Sequence, residues 1–179
     1  MPTIEPIDRE DAVGQGLGRL LDEYADLGDD DALFLRILAR APGYAEAIGA
    51  AMSMVHIEGG LDHRLKEIVR IQLARGAQDP YFSALRSRQA LEAGLTEERI
   101  EAGGADFETD PQFTAAEKWA LRYAYWMYRA PERLDADFYA EGKLHFSEAQ
   151  IMELGNLVAM HYGMYVFMRT LDAAGRRDD

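Results

Sequence analysis

The sequence predicts an all-α fold, a single-domain helical bundle of about seven or eight helices. Three observations carry that expectation. Apolar residues recur at three- and four-residue spacing along several stretches, as on the buried face of a helix. No stretch alternates apolar and polar residues as a half-buried strand does. Glycines, prolines and N-capping residues cut the 179 residues into helix-length pieces.

Residues 11–27 read as a weakly amphipathic helix ending near Gly28. Asp29, Asp30 and Asp31 offer a cap for the next helix, 32–41, which stops before Pro42. Residues 44–56 are rich in Ala and Met and end at Gly59 and Gly60. Leu61-Asp62 opens a stronger helix, in which Leu65, Ile68, Val69 and Leu73 keep helical spacing until Gly76 and Pro80. Residues 81–93 read as one helix closed at Gly94. Thr96-Glu97-Glu98 starts a short helix with acids in its first turn, and a loop spans 103–111.

Thr114-Ala115-Ala116-Glu117 and Ser147-Glu148-Ala149-Gln150 are capping-box patterns, in which each end of the four-residue unit satisfies a backbone N–H of the other. The first opens a helix to about Tyr128, stopped by Pro131 and followed by a short helix near 135–141. The second opens the last helix, about 148–174. Ile151, Leu154, Val158, Met164 and Phe167 make that helix apolar on nearly all sides, so it is expected to be central or covered by another subunit.

Composition excludes several functions. A net charge of -13 repels nucleic acids and anionic membranes. No cysteine is present, which removes disulfides, thiolate nucleophiles, iron–sulfur clusters and cysteine-type zinc sites. The two histidine-based metal patterns, His-x-x-x-His and His-Glu-x-x-His, are absent. No run approaches the ~20 apolar residues of a membrane span. The N-terminus lacks a basic stretch followed by an apolar one, and a cytoplasmic location is expected.

Several segments in order carry a family likeness: Leu61 to Val69, Asp79-Pro80-Tyr81-Phe82-Ser83-Ala84-Leu85-Arg86, Ala90-Leu91-Glu92-Ala93-Gly94-Leu95, Phe113 to Lys118, and His145 to Leu154. Together they resemble the alkylhydroperoxidase D-like, or carboxymuconolactone decarboxylase, family over about 42–171. The resemblance implies that residues 1–41 form a helical extension packed on one domain that spans 1–179. In it, Asp79 and Phe82 stand where the family has its two cysteines, and Arg86 where it has a histidine. Glu67, twelve residues before Asp79, matches the family's relay glutamate, and Tyr81 the residue before the second cysteine. Peroxide reduction needs an attacking thiolate and a resolving thiol. Phe82 supplies neither, so this chain is not a thiol peroxidase.

The candidate site that follows is Glu67, Tyr81 and His161 as proton-transfer groups, with Arg86, Asp79, Phe82, Tyr165 and His56 as binding groups. Glu67 has apolar residues opposite it on its helix, and burial would raise its pKa toward a useful range. The competing reading is a glutamate tied to Arg70 or Arg64. Arg86 suits a bidentate grip on a substrate carboxylate; it also suits an ordinary surface arginine. Asp79 before Pro80 has the pattern of an N-cap. Tyr81 is a proton donor or a core aromatic. His161, Tyr165 and Met168 share one helix face. His56 ends a Met-rich segment, where a helix C-terminus explains a histidine equally well. Trp119, Tyr123, Trp126, Tyr125 and Tyr128 fall at helical spacing, which fits core or subunit packing, with a pocket for a flat molecule as the other reading.

The resemblance implies a cofactor-independent acid–base enzyme on a small unsaturated carboxylate from aromatic-compound degradation, an isomerase or a decarboxylase. The alternative is a non-catalytic binding or assembly protein on the same scaffold. No cofactor or metal is expected, nor any nucleic-acid or membrane partner. A homo-oligomer, trimer or hexamer, is implied by the family.

Overall fold

The computed structural model describes residues 3–172 and is all-α over them. Eleven α-helices and one 3-10 turn occur among these residues, and no strand. In order they are α1 (Arg9–Gly14), α2 (Gly18–Asp26), α3 (Leu33–Leu38), α4 (Pro42–Ile57), α5 (His63–Gly76) and α6 (Pro80–Ala84). Then follow α7 (Arg88–Glu92), α8 (Glu97–Gly104), α9 (Ala115–Arg129), α10 (Ala136–Gly142) and α11 (Glu148–Thr170).

The count exceeds the expected seven or eight: nine helical stretches can be delimited in the sequence, and two of them are each broken in two. Residues 11–27 turn at Gly16 into α1 and α2. Residues 81–93 break at Leu85, whose backbone is extended at ψ 148°, and restart with Ser87 as N-cap of α7. The last helix ends at Thr170, and positions 173 and 174 of its expected span lie outside the described residues.

Both capping boxes form. The Glu117 N–H donates to Thr114 Oγ1 at 3.3 Å and the Thr114 N–H to Glu117 Oε2 at 2.8 Å. The Gln150 N–H donates to Ser147 Oγ at 3.2 Å and the Ser147 N–H to Gln150 Oε1 at 3.0 Å. These satisfy N–H groups that the first helical turn cannot pair internally.

Helix α5 is the axis of the fold, packing against α11, α4, α6, α8 and α9. Its Ile68, Val69 and Ile71 are wholly buried, as are Leu157 and Val158 of α11. Lys66 of α5 is also buried; its ammonium pairs with Glu153 of α11 and donates to the Glu58 carbonyl. Glu153 in turn accepts from the Gly60 N–H at 2.8 Å, so one buried cation fixes the α4–α5 turn against α11.

Helices α2 and α3 pack on α4. Phe34 of α3 meets Phe82 edge-on at 5.4 Å, and the Thr3 N–H donates to the Leu171 carbonyl at 2.8 Å. Gly28 makes the turn between α2 and α3 at φ +84°, pressed so closely on Arg86 that a Cβ would lie 2.2 Å from the Arg86 carbonyl oxygen. Only glycine combines that dihedral with that approach. The N-terminal segment thereby roofs the region where α5, α6 and α11 meet.

Candidate functional site

Glu67 and Arg70 sit three residues apart on α5, a spacing that brings side chains together. They form a buried two-point ion pair, Arg70 Nε to Glu67 Oε2 at 2.7 Å and Nη2 to Oε1 at 2.8 Å. Arg70 also donates to the carbonyls of Phe82 at 2.8 Å and Leu85 at 2.7 Å. Glu67 Oε1 accepts the Ser87 N–H at 2.9 Å. The pair thus supplies hydrogen bonds to the backbone that the break between α6 and α7 leaves without helical partners.

Burial pushes the Glu67 carboxyl up, but the charge and hydrogen bonds of Arg70 outweigh it, with His56 and the Ser87 N–H adding to them; the carboxyl is held down to about 2. The expectation of a raised Glu67 is therefore corrected. Partial burial alone would have raised it, and a partner at bidentate distance reverses the sign.

Two histidines flank the pair. His56 Nε2 lies 3.5 Å from Glu67 Oε2, and the rings of His56 and His161 are 5.9 Å apart. Burial, which penalises the charged form, lowers His56 to about 4 and His161 to about 3, so both are neutral near pH 7. His161 Nδ1 lies 3.0 Å from the Leu157 carbonyl, which can only accept. That assigns the proton to Nδ1 and leaves Nε2 with its lone pair.

A narrow cavity opens beside this cluster, with about 20 Å³ available to the centre of a water molecule. Leu27, Met52, Phe82 and Leu85 form its apolar walls. Tyr24, Asp29, Arg70, His161 and Tyr165 contribute its polar groups. Among the described residues, the hydroxyls of Tyr24 and Tyr165 and Oδ2 of Asp29 are buried without a hydrogen-bond partner. Such groups ordinarily find a partner in protein or water. Tyr165 packs against Phe82 with ring centroids 4.2 Å apart and planes tilted by 31°, its hydroxyl near the Arg70 guanidinium. Of the five N–H hydrogens of Arg70, four are taken by Glu67 and the two carbonyls, which leaves one on Nη1. Burial raises the Asp29 carboxyl above its usual range.

The structure brings together Glu67, His56, His161, Phe82 and Tyr165. It separates the other three candidates. Arg86 is bound bidentately by Glu97, Nε to Oε1 at 2.7 Å and Nη2 to Oε2 at 3.0 Å, and its Nη1 donates to the Ser83 and Leu85 carbonyls. It does not line the cavity, and its expected grip on a substrate carboxylate is corrected: in so acidic a chain a nearer carboxylate has claimed it. Asp79 caps α6, accepting the Phe82 N–H at 2.9 Å, and does not reach the cavity as a binding group. The Tyr81 hydroxyl faces Asp29 rather than Glu67, and burial followed by the Asp29 charge holds the phenol up.

Arg70, Asp29 and Tyr24 belong to the cluster and were not among the sequence candidates. Arg70 had a local signal, its three-residue spacing from Glu67, but only as a structural partner. Asp29 and Tyr24 had none, because a tertiary contact alone turns the α2–α3 turn over α6. Among the described residues no group of three histidine, aspartate or glutamate side chains is placed to hold a metal ion. No described helix is long and apolar enough to cross a membrane.

A helical bundle without sulfur nucleophiles, organised around a buried carboxylate–guanidinium pair, defines the class of this protein. Residues 42–125 match the model of the carboxymuconolactone decarboxylase family. The chain is similar to that family over those residues and has no cysteine. It is similar to the apo debrominase Bmp8, with a TM-score of 0.76 and 19% identity over 94% of this chain and 89% of that one. A cysteine-to-alanine variant of Bmp8 in complex with 2,3,4-tribromopyrrole gives a TM-score of 0.77 at 20% identity, over 94% of this chain and 89% of that one. A protein of unknown function from Agrobacterium tumefaciens, described as a putative antioxidant defence protein AhpD, gives 0.61 at 18% identity, over 79% of this chain and 93% of that one. At these identities the likeness is one of fold. No curated protein matches the chain in sequence.

Proposed function

We propose that the chain is a cofactor-independent enzyme that moves a proton on a small unsaturated carboxylate, as an isomerase or decarboxylase of the kind of compound formed in aromatic ring breakdown. The observation that carries this is His161: a neutral imidazole with Nδ1 engaged by the Leu157 carbonyl, on the wall of a cavity that also holds unpartnered hydroxyls. Its Nε2 takes a proton from the carbon next to the unsaturation. Negative charge then gathers on the substrate oxygen, toward the Tyr165 hydroxyl and the remaining N–H of Arg70. Isomerisation returns the proton to a different carbon; in decarboxylation no proton is first removed, the C–CO2 bond breaks with its electron pair passing into the enolate, and a proton from the Asp29 carboxyl or water adds to that carbon. Asp29, whose carboxyl burial raises above its usual range, is the second proton holder. Glu67 does not transfer protons in this scheme. It orients Arg70 and neutralises its charge. A substrate larger than water enters only when the segment at Leu27 and Asp29 moves aside.

The test is hydrogen–deuterium exchange at carbon in D2O, followed by NMR over a panel of muconate- and muconolactone-type acids. Wild type is expected to exchange or convert at least one. His161→Gln is expected to lose the activity and Tyr165→Phe to weaken it. Full turnover by His161→Gln removes the reading.

A second reading, a binding protein without turnover, is favoured by the water-sized cavity and the fully engaged Glu67 carboxylate. It predicts ligand binding with no exchange at carbon in any variant.

Homo-oligomerisation belongs to the same proposal. Met152, Asn156, Ala159, Gly163, Val166 and Phe167 lie on one exposed and mostly apolar stripe of α11, opposite the face that carries His161. An apolar stripe of this kind suits burial by a second copy. Sedimentation of wild type against Gly163→Glu tests it, and a wild-type monomer at high concentration overturns it.

A further inference from the structure

A second concavity lies on the other side of α5, where Gly76 approaches α9 and α11 and Gln72 approaches the end of α8. It measures about 310 Å³, against about 20 Å³ for the cavity beside His161. That is within the range of small-molecule sites, roughly 300–1,000 Å³. Its depth depends on absent side chains. A Cβ at Gly104 would sit 3.0 Å from Gln72 Nε2 and 3.3 Å from Arg75 Nη1, and one at Gly76 would touch Arg129 Nη2 and the Tyr162 ring at 3.8 Å.

The lining is selective in its chemistry. Tyr128 and Tyr162 stack at 3.9 Å and present a flat aromatic wall. Arg129 lies over the Tyr125 ring, 4.6 Å from its centroid, and donates to the Tyr125 hydroxyl at 3.3 Å. Among the described residues it has no carboxylate partner, although acids outnumber bases 32 to 19 in this chain. Arg75 is held at the rim by Glu101. The Gln72 Nε2 amide is buried with no hydrogen-bond partner among the described residues. A cation, an unused amide donor and aromatic faces thus converge on one hollow, the combination that holds a flat anion by charge, hydrogen bond and stacking.

We infer that this hollow binds a planar organic anion, an aromatic or conjugated carboxylate, with Arg129 and Gln72 on the carboxylate and Tyr162 against the ring. The site is separate from the His161 cavity and does not depend on the proton-transfer reading.

Isothermal titration at low salt tests it, with benzoate, neutral benzamide and non-planar cyclohexanecarboxylate as probes. Benzoate is expected to bind wild type best of the three. Arg129→Gln should weaken benzoate roughly tenfold, as the loss of a charged hydrogen bond does, and Arg129→Lys should retain most of the affinity. Tyr162→Leu should erase the preference for benzoate over cyclohexanecarboxylate. His161→Gln should leave benzoate binding unchanged. Thermal melts confirm that each variant is folded. Absence of benzoate binding to wild type, equal binding by Arg129→Gln, benzamide binding as well as benzoate, or a loss in His161→Gln instead of Arg129→Gln each overturns the assignment.

Discussion

Arg70 holds Glu67 through two hydrogen bonds of 2.7 and 2.8 Å, and with its other N–H groups it grips the carbonyls of Phe82 and Leu85. With Glu67 accepting the Ser87 N–H, the pair joins α5 to both sides of the break between α6 and α7.

Removing one member of this pair leaves the other charged and buried. Glu67→Gln is expected to destabilise the fold by about 3–5 kcal/mol, the usual range for a broken buried pair. The double variant Glu67→Gln with Arg70→Met should recover part of that loss. Urea unfolding of the three proteins checks it, and a single variant with an unchanged midpoint would refute the account.

Acid should unfold the protein early, and the sign follows from the shifts. His56 and His161 titrate near 6.5 when unfolded and near 4 and 3 when folded. Between those values the unfolded chain binds more protons, so stability falls as pH drops below about 6.5. Glu67 is depressed from 4.5 to about 2, so its contribution is complete above 4.5 and is lost as pH falls toward 2. Urea midpoints should decline from pH 7 to pH 5, less steeply in His161→Gln. A flat midpoint across that interval counts against buried neutral histidines.

Gly28→Ala should cost about 1–3 kcal/mol through backbone strain, with further loss from the 2.2 Å approach of its Cβ to Arg86. The roof over the cavity should loosen with it. Limited proteolysis is expected to cut near residues 26–32 faster than in wild type; an unchanged cleavage pattern would show that the turn tolerates a side chain.

Arg86→Ala should behave as the loss of a surface contact. Glu97 is 61% exposed, and such pairs contribute about 0–1 kcal/mol. Turnover on any substrate found for wild type should be unchanged. A large fall in kcat/KM would return Arg86 to the reacting site.

What the sequence revealed and concealed divides along the range of the interactions. Thr114 with Glu117 and Ser147 with Gln150 act within four residues, so their helix starts were legible. The spacing of Leu65, Ile68, Val69 and Leu73 likewise exposed the buried face of α5. The break at Leu85 was hidden, because the groups that complete its hydrogen bonds are Glu67 and Arg70 on an earlier helix. Glu67 was visible as a special position while its protonation was not, since the sign of the shift depends on where the Arg70 side chain lies. Arg86 was misread for the same reason: Glu97, which captures it, is close only because α7 turns back between them.

The hydrogen bonds that tie the stretch between α6 and α7 to α5 come from Glu67 and Arg70, while Asp79 and Arg86 bond the same stretch from within it. A stretch braced from a neighbouring helix in this way keeps its path only while that helix keeps both members of the pair.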